Sequence, residues 1–124
     1  MKHYITICFV ILCLAIKAQT KDTVQAKFNG SCLISGGLIS ITDYNKIKRL
    51  CPPKLIRVIR IKMTKVPKGT SIKNAHPVYM ECLGGDFPYI EPVKVGDTIF
   101  FDEIVGLNEN KKRSAAESIV LTIK

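Results

Sequence analysis

The chain has 124 residues, of which 19 are basic and 10 acidic, so its net charge at neutral pH is +9. This length provides one domain with one core, and the sequence contains no tryptophan, no low-complexity tract and no internal repeat. We therefore expect these residues to form a single domain without a repeat architecture.

The first residues have the pattern of a secretory signal peptide, residues 1–18. A short basic start is followed by an uncharged run from Ile5 to Ile16, and the sequence turns polar at Gln19. An apolar run of about 7–15 residues is typical of a cleaved signal, whereas a transmembrane helix needs roughly 20. We therefore expect cleavage between Ala18 and Gln19, export to the periplasm or the medium, and a mature chain that is not an integral membrane protein.

Basic residues are concentrated in the middle of the mature chain. Removal of Lys2 and Lys17 leaves 17 basic and 10 acidic residues, a net charge of +7. Ten of the basic residues and no acidic residue lie between Tyr44 and Met80. A basic surface attracts anionic partners, and export disfavours nucleic acid as that partner. An acidic protein surface, anionic lipid or lipopolysaccharide remain, and the simplest interpretation is a solvated strand face.

The mature chain is predicted to begin with a polar leader, residues 19–27, followed by a single domain, residues 28–124. A first strand is predicted from Ala26 to Leu33, and the glycines after Ser35 end it. The sequence therefore places one folded domain directly after the leader.

The segment that follows has the pattern of a short helix. Ser40 and Asp43 have the spacing of a capping box, and apolar residues recur every three positions from Ile41 to Leu50. Pro52 and Pro53 cannot continue a helix, because proline lacks the N–H group. We predict a helix of two to three turns that ends before these prolines.

The segment from Leu55 to Lys65 is predicted to be a half-buried strand. From Ile59 onward, apolar and basic residues alternate, which gives an inner apolar face and an outer basic face. The alternation shifts at Val58 and Ile59, where a β-bulge would fit. A weaker strand is predicted from Val78 to Leu83.

The C-terminal part predicts a long antiparallel hairpin. Thr98–Leu107 is rich in branched and aromatic residues, Asn108–Lys111 forms a polar turn, and Glu117–Lys124 alternates in polarity. With six or seven strands and turn signals between them, the whole chain is predicted to be mainly β, an antiparallel β-sandwich with one short helix.

The three cysteines expected to remain after cleavage do not form a known site. An exported chain allows a disulfide between two members of the set Cys32, Cys51 and Cys82, and the sequence does not choose the pair. None of them has the C-x-x-C spacing of a zinc knuckle or a thioredoxin-type redox pair. No metal or cofactor is predicted.

Two segments carry a resemblance to a known family. Gly36–Ser40 reads Gly-Gly-Leu-Ile-Ser, Val95–Ile104 opens the closing hairpin with Gly-Asp-Thr-Ile-Phe-Phe, and Ser118–Lys124 ends it. These features resemble the C-terminal domain of GldM, the gliding-motility and type IX secretion protein of Bacteroidetes, over residues 28–124. The resemblance implies an immunoglobulin-like β-sandwich that binds envelope proteins, including outer-membrane ring components of that secretion machinery.

Two classes of function follow from these observations. The first is a non-catalytic, exported protein-binding module that uses a sheet edge or a basic face around Arg57, Arg60, Lys62 and Lys65. The second is a small thiol-dependent enzyme, which requires Cys82 to be exposed and within hydrogen-bond reach of His76. Binding to the envelope surface by charge alone is a third possibility, and it would weaken steeply with salt.

The acidic residues near the last hairpin have a structural interpretation. A turn position explains Asp97, and solvent-facing positions explain Asp102, Glu103 and Glu109 better than a glycosidase pair or a calcium site does. We therefore predict no enzyme activity.

Overall fold

The computed structural model describes residues 24–124. The predicted signal peptide and the cleavage site between Ala18 and Gln19 lie outside the described residues. The predicted leader is described from Val24 onward, and here it is paired: the backbone N–H of Ala26 donates to Leu38 O, and Leu38 N–H donates to Val24 O. The folded domain therefore begins a few residues before residue 28.

The described chain is mainly β, with strands, one short α-helix and two 3-10 helices. In chain order, the elements are β1 (Lys27–Asn29), β2 (Cys32–Ser35), β3 (Gly37–Ile39), α1 (Ile41–Tyr44), β4 (Arg49–Leu50), β5 (Arg57–Val66), a 3-10 helix (Ile72–Asn74), β6 (Val78–Glu81), a second 3-10 helix (Leu83–Gly85), β7 (Thr98–Leu107), β8 (Arg113–Ala116) and β9 (Ile119–Ile123).

The strands form two mixed sheets. The small sheet has the order β1-β2-β4, and the large sheet has the order β3-β9-β7-β5-β6, with β8 paired to β7. The pairs β2–β4 and β3–β9 are parallel, whereas the other ladders are antiparallel. The prediction of purely antiparallel sheets was therefore wrong in these two pairs. Two parallel neighbours need a crossover connection between them. For β2 and β4 this connection consists of β3 and α1.

One contiguous core joins the two sheets. Alternating residues of the large sheet share its inner face, because side chains of a strand point to opposite sides in turn. The small sheet and α1 contribute to the same cluster, whose fully buried members include Leu33, Tyr44, Ile61, Met63, Ile99, Phe101, Leu121 and Ile123. The core thus covers the inner face of the large sheet.

The helix prediction was correct in its start and wrong in its length. Asp43 N–H donates to Ser40 Oγ at 3.1 Å, which confirms the predicted cap. The helix ends at Tyr44, because the backbone N–H groups of Lys48 and Arg49 donate to Ser31 O instead. Leu50 is buried as part of β4 rather than on the helix. A tertiary contact therefore replaces the predicted later turns.

The predicted first strand is in fact a hairpin of β1 and β2. Gly30 has a φ of 61°, a backbone conformation that glycine adopts at little cost. Gly30 and Ser31 form the two-residue turn between the paired residues Asn29 and Cys32, and glycine at the first central position is the pattern of a type II′ turn. The chain therefore reverses inside the segment predicted to be continuous.

The two longest strands confirm the sequence analysis most closely. β7 covers the predicted segment, and the Asn108 side chain accepts hydrogen bonds from Asn110 N–H at 2.9 Å and Lys112 N–H at 3.1 Å in the predicted turn. The register of β5 against β7 shifts between Val58 and Arg60, which confirms the predicted bulge.

Candidate functional site

The candidate site is the solvent side of the large sheet around β5, called the outer face here. Lys62 is paired with Tyr79 on β6 and with Asp102 on β7. Arg60 is paired with Glu81 and Val105. Since directly paired residues project to the same side of a sheet, these side chains form two adjacent rows opposite the core.

Lys62 and Tyr79 form the most specific contact on the outer face. The Lys62 Nζ atom lies 5.9 Å from the centroid of the Tyr79 ring, within the range of a cation–π interaction. The Tyr79 side chain is nonetheless 63% exposed. An exposed aromatic ring held by a cation is a surface on which a partner can pack. Tyr79 was not among the predicted site residues, although its alternation with Met80 was a signal for an outward side chain.

The four basic residues predicted as a binding surface do not all lie together. Arg57 and Arg60 are exposed, and Lys62 is half-buried on the outer face. Lys65, however, is paired with the core residue Ile99. The Lys65 side chain therefore projects to the inner side of the sheet, as the Met63 side chain does, because the two residues are two positions apart on the strand.

The contacts of Lys65 confirm that it is not part of the outer face. Its Nζ atom donates to Pro92 O at 3.2 Å and lies 3.6 Å from Glu91 Oε1. This side chain fastens the segment before β7 to β5. The prediction that Lys65 belongs to the basic binding face was wrong for this reason.

The charges of the outer face lack ion-pair partners. Within residues 24–124 the ion pairs are Lys46–Asp43, Arg49–Asp86 and Lys65–Glu91. Arg57, Arg60 and Lys62 are in none of them. Glu81 and Asp102 stand opposite Arg60 and Lys62 in the ladder and offset part of this positive charge. The three cations are nevertheless held in no ion pair and can contact the carboxylates of a partner.

A cleft opens beside Arg60, where the register of β5 against β7 shifts on both sides of that residue. Its volume is about 520 Å³, and Arg60, Tyr79, Glu103, Val105 and Ala115 contribute to its lining. Glu103 has a φ of 48°, a left-handed conformation that is uncommon for residues with a side chain. The cleft combines a cation, a phenol, a carboxylate and apolar atoms, which suits the anchoring of one partner side chain.

The proposed pair of Cys82 and His76 is not formed. Cys82 is 3% exposed and follows β6, whereas His76 is exposed and precedes β6. The four extended residues of β6 separate them, so they lie at opposite ends of that strand. Burial, with a smaller contribution from the charge of Asp86, raises the pKa of the Cys82 thiol. This arrangement does not meet the requirements of an activated nucleophile.

The other cysteines are joined. Cys32 and Cys51 form a disulfide across β2 and the end of β4, with a Cα–Cα distance of 5.7 Å and a sequence separation of 19. Cys82 is the free cysteine of the described chain. The disulfide holds the small sheet together, which the sequence could not assign.

Asp97 has the predicted role in a turn. Its Oδ2 atom accepts from Lys94 N–H at 2.8 Å, and Gly96 before it has a φ of 93°. Residues 24–124 contain no group of three or more His, Cys, Asp or Glu side chains that could hold a metal ion. Asp97 is therefore explained by local backbone geometry.

Comparisons with protein families, with curated proteins and with solved structures found no match to this chain. In the part of the chain that the structure describes, no helix has the length and apolar character needed to cross a membrane.

Proposed function

We infer that the chain is an exported, non-catalytic protein-binding module of the bacterial envelope, which engages an acidic partner through the outer face. The observation that carries this proposal is the exposed Tyr79 ring beneath the Lys62 ammonium group, next to the unpaired Arg60. Tyrosine and arginine are enriched among the residues that dominate binding energy at protein interfaces. Unpaired positive charge also accelerates association with an acidic surface.

The resemblance to the C-terminal domain of GldM supports a more specific assignment. On this proposal the fold is an immunoglobulin-like sandwich, and the chain is an accessory of the type IX secretion or gliding machinery. The partner would be an envelope protein, with outer-membrane ring components as the first candidates. The signal-peptide pattern of residues 1–18 supports the location.

The experiment is an affinity capture with the mature chain, residues 19–124, tagged at its C-terminus. It is incubated with solubilised envelope of a bacterium that has the secretion machinery. The test variant is Arg60→Glu/Lys62→Glu. The matched control, Lys73→Glu/Lys111→Glu, has the same change in net charge at two exposed positions outside the outer face. Thermal unfolding verifies that both variants are folded.

We expect the wild-type chain and the control variant to retain the same envelope protein, and the outer-face variant to lose it. Equal retention by both variants would remove the outer face from consideration. Equal weakening of both variants, with strong loss on added salt, would indicate binding to the envelope by net charge alone. Retention of ring components would assign the machinery, and retention of another protein would limit the resemblance to the fold.

A further inference from the structure

The large sheet has an open edge at β8. β3 pairs with β9 from Gly37 onward, but the chain before Gly36 belongs to β2 in the small sheet. β8 precedes β9 in the chain and, like β9, pairs with β7. Among the strands of residues 24–124, β7 is the one partner of β8, so the other edge of β8 is open. The change of sheet at Gly36 thus removes the strand that would have covered β8.

The backbone of β8 has hydrogen-bonding groups that point away from β7. Asn108 N–H donates to Lys112 O at 3.0 Å. Since bonded and non-bonded pairs alternate in an antiparallel ladder, Ser114 and Ala116 exchange hydrogen bonds with β7. The N–H and C=O groups of Arg113 and Ala115 therefore point outward. No turn or loop hydrogen bond of the described chain reaches them.

A cleft of about 500 Å³ lies along this edge, and we call it the β8 cleft. One wall is formed by residues 115–119, and the other by residues 34–36 together with residues 52–54. The strand presents small side chains, Ser114, Ala115 and Ala116, so an extended chain can approach its backbone closely. Natural proteins protect exposed edges with charged residues, proline or a covering segment, and the middle of β8 has none of these.

The other free edge of the large sheet is less suitable. β6 has four residues, Pro77 directly precedes it, and the exposed Glu81 ends it. Both features are typical of a protected edge. The β8 edge is therefore the better candidate for strand addition.

The charge at the β8 cleft indicates which kind of segment fits. Lys27 and Lys54 contribute to its lining, Arg113 lies at the start of the strand, and Glu117 is the acidic residue of the lining. None of these four residues is in an ion pair of the described chain. The net charge of the cleft is positive, which favours a segment with carboxylate side chains.

We propose that an extended, acidic peptide segment of the partner adds to β8 as a further strand and fills the β8 cleft. Backbone hydrogen bonds to Ala115 and Arg113 provide the affinity, and the lysines select for acidic side chains. The inference depends on the proposed protein-binding function. The β8 cleft and the cleft beside Arg60 share Ala115 and Ala116, whereas Lys27 and Lys54 line the β8 cleft and not the other one. The variant Lys27→Glu/Lys54→Glu therefore tests the β8 cleft separately from the outer face.

The experiment selects peptides from a random heptapeptide library displayed on phage, with the full mature chain as the target. Selected peptides are synthesised, and their affinity is measured for wild type, Ala115→Pro and Lys27→Glu/Lys54→Glu. Proline at position 115 removes an N–H that points away from β7, so the β7–β8 ladder keeps its hydrogen bonds. The matched control is Glu81→Pro, which removes an outward N–H of β6.

A second measurement does not depend on variants. Amide hydrogen exchange by NMR is recorded for the wild-type chain with and without a selected peptide. We expect the Ala115 and Arg113 amides to exchange at least about tenfold more slowly with peptide bound, because exchange follows opening of a hydrogen bond. The Ser114 and Ala116 amides, which are already bonded to β7, should change little.

The expected result is a set of peptides rich in Asp and Glu, whose affinity falls about tenfold or more in Ala115→Pro and in the lysine variant but not in Glu81→Pro. Failure to select any peptide overturns the proposal, as does selection of peptides that leave the Ala115 amide unchanged. If the chain self-associates and Ala115→Pro abolishes that association, a second copy of the chain occupies the β8 cleft. This outcome would also overturn the proposal. If the envelope partner is lost by Arg60→Glu/Lys62→Glu but retained by Ala115→Pro, the proposed function stands without strand addition.

Discussion

The hydroxyl group of Tyr44 donates a hydrogen bond of 3.0 Å to the backbone carbonyl of Glu91. Tyr44 is the last residue of α1 and is fully buried. The carboxylate of the same Glu91 lies 3.6 Å from Lys65 Nζ on β5. One residue of the long connection before β7 is thus held by both the helix and the central strand, although 47 positions separate it from Tyr44.

The first prediction concerns the stability of Tyr44→Phe and its pH dependence. Burial, with added repulsion from Glu91 and Asp97, raises the pKa of Tyr44 far above its usual range. The unfolded tyrosine ionises from about pH 10, whereas the folded one keeps its proton. The wild-type chain therefore loses stability as pH rises through 10, and the phenylalanine variant lacks this loss.

At pH 7 we expect the variant to unfold with a free energy lower by about 1 kcal/mol, the usual value of one hydrogen bond. Above about pH 10 the wild-type chain loses roughly 1.4 kcal/mol of unfolding free energy per pH unit, because only its unfolded state releases the tyrosine proton. The difference between the two chains should therefore close by pH 11. Urea unfolding at pH 7, 9 and 11 measures both effects. Tyr79→Phe, which removes the hydroxyl group of an exposed ring, is the control and should leave the free energy of unfolding at pH 7 unchanged. A difference that stays constant from pH 7 to 11 would contradict the burial argument.

Local patterns were sufficient to predict the elements whose own residues determine them. The β7 strand, the Asn108 turn and the Ser40 cap all depend on neighbours in sequence. Alternation of polarity likewise identified most of the inner face. These are the features that short-range sterics and hydrogen bonds dictate without help from distant segments.

Other predictions failed where a distant group decides the structure. The length of α1 is set by Ser31 O, which accepts the N–H groups of Lys48 and Arg49. The pairing of Cys32 with Cys51 follows from the parallel contact of β2 and β4. For the candidate site, Arg57, Arg60 and Lys62 could be identified from sequence. The contribution of Tyr79 and the open edge of β8 require the order of the strands, which one sequence does not contain.

The second prediction is that Cys82 is chemically inert in the folded chain. Its side chain is buried, and the pKa of the thiol is raised, so little thiolate is available to react. We expect labelling with a thiol reagent only as fast as the chain opens. A control variant, Ser71→Cys/Cys82→Ala, places a thiol at an exposed position and should react at once. Labelling of wild-type Cys82 at the rate of this control would reopen the thiol-dependent alternative.

The third prediction concerns the close approach of Gly37 to the backbone of Val24–Ala26. This residue has a φ of 144°, and a Cβ atom there would lie 2.5 Å from Val24 O. Alanine must displace the paired segment before β1, so we expect Gly37→Ala to lower the unfolding free energy by about 3 kcal/mol. Gly69→Ala is the matched control, because Gly69 has a φ of 83° with open space around it. Gly69→Ala should lower the free energy of unfolding by about 1 kcal/mol. Equal losses in the two variants would contradict the close approach of the two segments at Gly37.

The last prediction concerns the Cys32–Cys51 disulfide. A bridge that closes a loop of this size stabilises a protein by about 3 kcal/mol, so Cys32→Ala/Cys51→Ala should unfold at a clearly lower temperature. A reductant should lower the melting temperature of the wild-type chain in the same way and leave that of the double variant unchanged. Cys82→Ala controls for removal of a thiol and should keep the sensitivity to reductant.

The same bridge affects the two proposed surfaces differently. Cys51 directly precedes Pro52–Lys54, which form part of one wall of the β8 cleft, whereas Lys62 and Tyr79 lie on the outer face of the other sheet. Reduction below the melting temperature should therefore weaken peptides bound at the β8 cleft by several-fold, because their wall is no longer fixed. Binding through the outer face should remain unchanged. Equal sensitivity of both would show that the bridge acts on the stability of the whole domain and not on the cleft.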